Sequence, residues 1–276
     1  MRRFTGALAL AAVAAWAGSV RAEQYWIRWE GDDLPENQGW TRVWGNWQGQ
    51  YQGPGAYRTL ENGVLTYDSL YDPGVYDYNE IRRIAATDPQ SGEKFSMEWR
   101  LRVEQVTAWA GDPTVVVSSD DAWVFALWFA YDTAYSSFEG WAEVPFTPGV
   151  FHTFIFVSPD MRTYELFVDG ELRRTGTLRR SVGPSQVAWG EGVQGVASVH
   201  HWDYFHFGVF RPGDTNCDGA VDFRDINAFV LLLSDPATYA QQFGQCVALS
   251  GDCNEDGRVD FDDIDAFVAL LSAGGT

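Results

Sequence analysis

Hydrophobic and polar residues alternate over several short segments in the first three quarters of the chain. Between 95 and 103 every second residue is apolar, and these residues are Phe95, Met97, Trp99, Leu101 and Val103. A period of two is typical of a β-strand with one buried face. The segment 123–131 is almost wholly apolar and 152–157 is similar, which predicts strands that are covered on both faces.

Turn signals separate these segments. The stretches 163–168 and 171–174 flank Asp169-Gly170, a pair that suits a two-residue β-hairpin turn because both central residues need a positive φ. Residues 199–210 supply a last aromatic-rich strand. Many short strands with frequent turns predict an antiparallel β-sandwich for this part of the chain.

The pattern changes after residues 211–213, beyond which the chain is acidic and its apolar residues follow a helical period. Two stretches place apolar residues at i, i+3, i+4 and i+7, and these are Ile226, Phe229, Val230 and Leu233, then Ile264, Phe267, Val268 and Leu271. Each stretch predicts a short amphipathic helix. Because such short stripes are not stable alone, we expect the two helices to pack together. The chain thus divides into a mainly β domain, 23–210, and a small helical domain, 211–276.

Each predicted helix follows a twelve-residue acidic segment, 214–225 and 252–263. Both segments have oxygen-bearing side chains at positions 1, 3, 5, 9 and 12 and a glycine at position 6, which is the spacing of a calcium loop whose position 7 contributes its backbone carbonyl. The expected ligands are Asp214, Asn216, Asp218, Ala220, Asp222 and Asp225 in the first loop and Asp252, Asn254, Asp256, Arg258, Asp260 and Asp263 in the second. A solvated acidic surface is the alternative. The repetition, with matching Gly219 and Gly257, favours two bound calcium ions.

A loop followed by a helix, with no helix before it, differs from a calcium-sensor EF-hand. Pro212-Gly213 directly precede the first loop. The arrangement resembles the dockerin module, whose duplicated half EF-hands bind calcium and, in cellulosomal proteins, hold a cohesin domain. The resemblance implies the ligand set above and a cohesin-like or other protein partner. Family members often carry small hydroxyl residues at loop positions 10 and 11, where this chain has Phe223, Arg224, Phe261 and Asp262. An unrelated or an intramolecular partner therefore stays open.

The first domain resembles a concanavalin A-like, laminin G-type jelly roll. The resemblance rests on Phe-His-Thr-Phe at 151–154, Tyr-Glu-Leu-Phe-Val-Asp-Gly at 164–170 and Trp-Asp-Tyr-Phe-His-Phe-Gly at 202–208. It implies a jelly-roll sandwich from a superfamily of sugar-binding lectins, adhesive modules and glycoside hydrolases. Sugar rings stack on aromatic side chains, and the candidates in a glycine-rich region are Trp40, Trp44, Trp47 and Tyr51.

The paired carboxylates of a glycosidase, such as Glu-x-Asp-x-Glu on one strand, are not found in the sequence. The nearest acidic groups are Glu30, Asp32, Asp33, Glu98 and Glu104. A solvated sheet surface explains them better than catalysis, so no catalytic residue and no organic cofactor are predicted. Whether the domain is an enzyme stays open.

Charge and the N-terminus indicate the compartment. The net charge is −19, and Lys94 is the single lysine among 19 basic residues, which argues against nucleic-acid partners and anionic membranes. Two arginines, a short apolar run and small residues ending at Ala22 predict a signal peptide over 1–22. The run is shorter than a membrane span requires, so we expect a secreted or cell-surface protein.

The cysteines of the chain are Cys217, Cys246 and Cys253. They allow three disulfide pairings, each of which leaves one free thiol.

These features predict a secreted calcium-binding protein with a carbohydrate- or ligand-binding, lectin-like sandwich and a dockerin-like attachment module. The alternatives are a polysaccharide-active glycoside hydrolase that carries the same module and a structural surface protein.

Overall fold

The structure is a computed structural model and describes residues 26–44, 57–70, 79–84, 87–107, 113–119, 121–136, 142–181, 183–192 and 196–274. The predicted signal peptide lies outside the described residues, as do Trp47 and Tyr51 of the expected ligand set. Within the described residues, no helix is both long and apolar enough to cross a membrane.

Two antiparallel sheets pack face to face. The first sheet contains β1 (Ile27–Trp29), β3 (Tyr57–Glu61), β4 (Val64–Asp68), β6 (Lys94–Val106), β11 (His152–Ser158), β12 (Thr163–Val168), β13 (Glu171–Thr177) and β16 (Ser198–Phe210). The second sheet contains β2 (Thr41–Trp44), β5 (Asn79–Ile84), β7 (Thr114–Ser118), β8 (Trp123–Phe129), β9 (Thr133–Ser136), β10 (Ala142–Pro145), β14 (Arg179–Arg180) and β15 (Gln186–Glu191).

The strand order joins distant parts of the chain. The first sheet runs β13-β12-β11-β6-β16-β4-β3, with β1 beside β16, and the second runs β10-β9-β8-β7-β15-β5-β2, with β14 beside β8. The long strands β6 and β16 pair over most of their length. The fold is a mainly β, antiparallel jelly-roll sandwich with a small C-terminal helical module, which confirms the predicted fold class.

Aromatic side chains fill the space between the sheets. The Trp189 and Phe205 rings stack with centroids 5.4 Å apart, and Trp99 stacks on the same Phe205 at 6.0 Å. The five alternating apolar residues of the 95–103 segment all lie in this core, so the predicted strand is confirmed. The hairpin turn is confirmed too, because Asp169 and Gly170 have φ values of 53° and 75°.

Trp40 belongs to the core, so its expected role as a sugar platform is wrong. Its ring is 3% exposed and meets Trp189, Phe205 and Phe207 edge-on at centroid distances of 5.7–5.8 Å. The residue stands between a 3₁₀ helix, Pro35–Gln38, and β2, where the chain turns into the sandwich. Trp44 ends β2, and its side chain is outside the described part of the structure.

The C-terminal module contains α1 (Ile226–Ser234), α2 (Pro236–Gln242) and α3 (Ile264–Gly274). The sequence predicts α1 and α3 but misses α2, because Pro236 was interpreted as the end of the preceding helix. Proline instead fits the first turn of a new helix, where no backbone donor is needed. Asp235 caps that helix by accepting a hydrogen bond from the Thr238 amide at 3.0 Å.

The two predicted helices pack through half of each apolar stripe. Phe229 of α1 and Phe267 of α3 stack with ring centroids 4.0 Å apart. The other half points to solvent, since Val230 is 56% exposed and Val268 is 53% exposed. The periodicity therefore predicts the helices but not the width of the face that they bury.

Candidate functional site

The first acidic loop curls through hydrogen bonds from its own backbone. The amide of Asp218 donates to Asn216 Oδ1 at 2.8 Å, and the amide of Ala220 donates to Asp218 Oδ1 at 3.1 Å. The amide of Gly219 donates to Asp214 Oδ2 at 3.0 Å. The side chains at positions 1, 3 and 5 thus hold the backbone of the loop in a tight curve. Gly219 makes the sharp turn in this curve, with a φ of 89°.

The second loop repeats this pattern. The amide of Asp256 donates to Asn254 Oδ1 at 3.0 Å, and that of Arg258 donates to Asp256 Oδ1 at 3.0 Å. Asp252 Oδ2 accepts from the Gly257 amide at 2.9 Å. Two segments far apart in the chain therefore adopt the same local conformation because their polar residues have the same spacing.

The aspartate at position 12 closes each loop onto its beginning. Asp225 accepts from the amides of Asn216 at 3.1 Å and Asp222 at 2.9 Å, and Asp263 accepts from those of Asn254 and Asp260 in the same way. Asp225 and Asp263 are both fully buried. They also stand just before α1 and α3, so each ties its loop to the helix that follows.

Burial makes the charged state of these loops costly. Burial, with the charge of Asp225 added, raises the pKa of Asp214 to about 6. Burial, with the charge of Asp263, raises the pKa of Asp252 to about 6. Asp214 is 1% exposed, and its Oδ1 atom has no hydrogen-bond partner among the described residues. A buried, unpartnered carboxylate oxygen is unfavourable unless a cation satisfies it, so the loop fits a hard cation.

Among the described residues, no group of three or more histidine, cysteine, aspartate or glutamate side chains is arranged as a metal centre. The expected ligand set of each loop also includes an asparagine and a backbone carbonyl. A calcium ion would have to draw the aspartates, the asparagine and this carbonyl together, which the flexible coordination of calcium allows.

The two loops differ at position 11. In the first loop, the Arg224 guanidinium forms ion pairs with Asp218 at 2.9 Å and with Asp222 at 2.7 Å. In the second loop the same position is Asp262, which cannot neutralise a carboxylate. In the first loop, the positively charged Arg224 side chain is thus paired with two of the expected calcium ligands.

The structure decides the cysteine pairing that the sequence leaves open. Cys217, at position 4 of the first loop, forms a disulfide with Cys246, and their Cα atoms are 5.7 Å apart. Cys253 keeps a half-buried thiol. The disulfide ties the first loop to the segment that follows α2.

The module packs on the outer face of the first sheet through an apolar cluster. The module contributes Val247 and Leu249, and the sandwich contributes Trp26, Ile155, Val157, Phe167 and Phe210. An apolar patch on the outside of a sheet normally marks a contact surface. Here the chain covers the patch with its own C-terminal module.

Polar contacts surround this apolar cluster. The amide of Trp26 donates to Gln245 O at 2.8 Å, and Arg28 Nη1 donates to Gly244 O at 3.0 Å. Both acceptors neighbour Cys246 in sequence. The disulfide therefore links the first loop to the segment that contacts the sandwich.

The five acidic residues nearest to a glycosidase pattern in the sequence contact neighbouring side chains. Glu98 accepts a hydrogen bond from the Tyr204 hydroxyl at 2.7 Å, and Glu30 lies 3.0 Å from His206 Nε2. Side-chain contacts also hold Asp32, Asp33 and Glu104.

One aromatic residue on the outer face of the second sheet escaped the sequence analysis. Trp128 is half-buried, lies opposite Thr114 of β7 and Tyr135 of β9, and stacks near Tyr135 with centroids 6.3 Å apart. The almost continuous apolar run of β8 does not show which residues face away from the core. The outward orientation of Trp128 becomes clear in the structure, where Phe125 and Leu127 of the same strand lie in the core.

No protein-family model matches the chain, and no curated protein matches it. Among solved structures, a carbohydrate esterase from the Shiga toxin-encoding bacteriophage phi24B is 10% identical, with a TM-score of 0.48 over 66% of this chain and 97% of that one. A β-glucanase of Bacillus licheniformis is 11% identical, with a TM-score of 0.44 over 68% and 98%. Domain 4 of a GH43 extracellular arabinanase from Geobacillus stearothermophilus is 12% identical, with a TM-score of 0.44 over 68% and 93%.

Proposed function

We propose that this chain is an exported calcium-binding protein whose C-terminal module takes one calcium ion in each acidic loop. The observation that carries the proposal is Asp214, a buried carboxylate with an unpartnered Oδ1 at position 1 of a duplicated loop. Calcium takes six to eight oxygen ligands in flexible geometry, and each loop offers that number from its aspartates, its asparagine and one carbonyl.

The proposed role of calcium is structural. The four aspartates among the expected ligands of each loop repel one another, and burial raises the pKa of Asp214 and of Asp252. A divalent cation removes both penalties and closes each loop in front of its helix. Extracellular calcium modules work with dissociation constants of about 10⁻⁴–10⁻³ M, which suits a module that is held folded outside the cell.

Isothermal titration calorimetry of the mature chain tests this proposal. We expect about two calcium ions per chain, and Asp225→Asn and Asp263→Asn variants that each retain one ion. A control variant, Asp203→Asn, changes a carboxylate on the sandwich and should keep both. The absence of calcium uptake at millimolar concentration would contradict the proposal.

We propose a second, separate function for the sandwich, which is glycan binding on the outer face of the second sheet. The half-buried Trp128 favours it, because sugar rings stack on tryptophan and the facing residue, Thr114, is small. A polysaccharide panel tests this idea with Trp128→Ala and, as a control aromatic residue in the adjacent β8–β9 turn, Tyr131→Ala, whose side chain is 51% exposed.

The outcome of the panel separates the candidate functions. Binding that Trp128→Ala abolishes and Tyr131→Ala preserves supports a lectin. New reducing ends would identify a glycoside hydrolase instead. If the panel shows no binding and no cleavage, the result favours a structural surface protein.

We propose that a protein partner binds the module next to its loops, through exposed aromatic residues where many dockerins have small hydroxyl residues. Phe223 is 76% exposed and Phe261 is 71% exposed, both at loop position 10. A panel of purified cohesin domains tests whether the partner is of cohesin type, with the Phe223→Ala/Phe261→Ala variant expected to lose binding. Failure of the intact chain to bind any member would count against a cohesin-type partner.

A further inference from the structure

The second acidic loop touches the sandwich at three of its positions. Glu255, at position 4, forms an ion pair with Lys94 at 3.0 Å. Arg258, at position 7, donates through Nε to the carbonyl of Gly170 at 2.8 Å. These partners lie on β6 and in the β12–β13 turn, so the loop bridges two parts of the first sheet.

Gly257, at position 6, makes the third contact and fits closely. A Cβ added there would lie 2.3 Å from a ring carbon of Phe167, which is itself 2% exposed in the apolar cluster between module and sandwich. The backbone of the calcium loop therefore packs directly on an aromatic ring of β12.

In the first loop, the glycine at position 6 does not pack against the sandwich. Among the described residues, a Cβ added at Gly219 would meet no atom within 4 Å. Its position 4 is Cys217, which is bonded to Cys246 rather than paired with the sandwich. The two loops therefore share a local conformation but have different surroundings.

We infer that calcium binding in the second loop and docking of the module on the sandwich are coupled, so that each strengthens the other. The inference rests on the proposed calcium function. Positions 4, 6 and 7 reach their partners together in the closed loop, and an ion bound to the oxygens at positions 1, 3, 5 and 7 would fix that closed shape. Arg258 joins the two events in one residue, because its carbonyl is an expected ligand and its side chain holds Gly170.

Coupling of this kind is reciprocal. If docking raises the calcium affinity of the second loop by some factor, calcium raises the docking equilibrium by the same factor, and such factors are about 5 to 150. The first loop is joined to the docking segment through the Cys217–Cys246 disulfide and not through its positions 4, 6 and 7, so its calcium affinity should respond less to docking. The chain would then have two classes of calcium site, of which one reports the contact between its domains.

Calorimetry on the full mature chain tests the coupling with a double variant, Lys94→Ala/Arg258→Ala. This variant leaves every ligand oxygen in place, because only the carbonyl of Arg258 is a ligand. The control, Arg162→Ala/Arg180→Ala, also removes two positive charges, and both of these side chains lie over Trp123 of the sandwich instead. We expect the double variant to weaken one of the two sites by at least about fivefold and the control to leave both unchanged.

Hydrogen exchange on the unmodified chain gives a second readout that needs no variant. Calcium should slow exchange in the β12–β13 turn, around 166–170, which the second loop contacts through Arg258 and Gly257. Unchanged exchange there on calcium binding, or a double variant with two unchanged sites, would overturn the coupling while calcium binding stands. A chain that takes up no calcium would overturn both proposals.

Discussion

At the scale of single residues, the glycines at loop position 6 serve two purposes. Gly219 and Gly257 have φ values of 89° and 84°, a left-handed conformation that disfavours side chains. Only Gly257 is also pressed against Phe167. The calcium-loop pattern explains the first constraint, and only the folded structure shows the second.

The Gly257→Ala and Gly219→Ala variants form a matched pair. Gly219→Ala should cost about 1–2 kcal/mol of module stability through backbone strain alone. Gly257→Ala should cost about 1–3 kcal/mol more, because the added methyl group collides with Phe167. Thermal unfolding followed by helix signal measures both, and equal losses would argue that the Phe167 contact is unimportant.

Arg224 is a second residue whose role depends on its position. It pairs with Asp218 and Asp222, two expected ligands of the first loop. Its guanidinium therefore competes with calcium for the same oxygens, which the sequence pattern does not reveal.

Replacement of Arg224 by alanine should tighten calcium binding at the first loop by about two- to fivefold, as expected for the loss of exposed ion pairs. The second loop should be unaffected. Arg224→Lys, which keeps the charge, should behave like the unmodified chain. Calorimetry measures these constants, and weaker binding in Arg224→Ala would show that the arginine supports the loop instead.

At the scale of elements, the helices α1 and α3 combine a buried and an exposed apolar strip. The Phe229–Phe267 stack holds them together, whereas Ile226 and Ile264 are 38% and 41% exposed. A helical period shows which residues share a side. It does not show how much of that side another element covers, since this depends on residues far away in the chain.

The buried Phe229 of α1 and the exposed Phe223 of the loop before it form a pair of variants that tests the assigned packing. Phe229→Ala should lower the free energy of unfolding of the module by about 3–5 kcal/mol, because it leaves a cavity against Phe267. Phe223→Ala, at a 76% exposed position, should change it by less than about 0.5 kcal/mol. Chemical denaturation in calcium measures both, and a similar loss for the two variants would contradict the assigned packing.

At the scale of the whole molecule, the chain consists of two units with different sources of stability. The sandwich has a large aromatic core between its sheets. The module has two small apolar clusters, one disulfide and two acidic loops. The outer face of the first sheet joins the units, while Trp128 lies on the second sheet.

Calcium removal should therefore affect one unit before the other. With excess chelator, we expect the helical signal of the module to melt at a lower temperature, while the near-ultraviolet signal of the sandwich core persists. Calcium at about 100 times the dissociation constant should stabilise the module by about 2.7 kcal/mol per site. A single transition that calcium does not shift would contradict this division.

The sequence by itself determined the Asp169-Gly170 turn, the helices α1 and α3 and six strands of the sandwich, which are β6, β8, β11, β12, β13 and β16. These features depend on periodicity and on turn chemistry, which are local properties of the chain. The calcium ligands follow from equally local spacing and stay a prediction.

The tertiary structure decided the burial of Trp40, the pairing of Cys217 with Cys246 and the contact of Gly257 with Phe167. Each of these depends on which distant segments the fold brings together. Trp40 meets rings from β15 and β16, and the second loop meets β12 across the domain interface. A local sequence pattern does not predict these contacts, because their stabilising free energy arises only after the fold has brought both segments together.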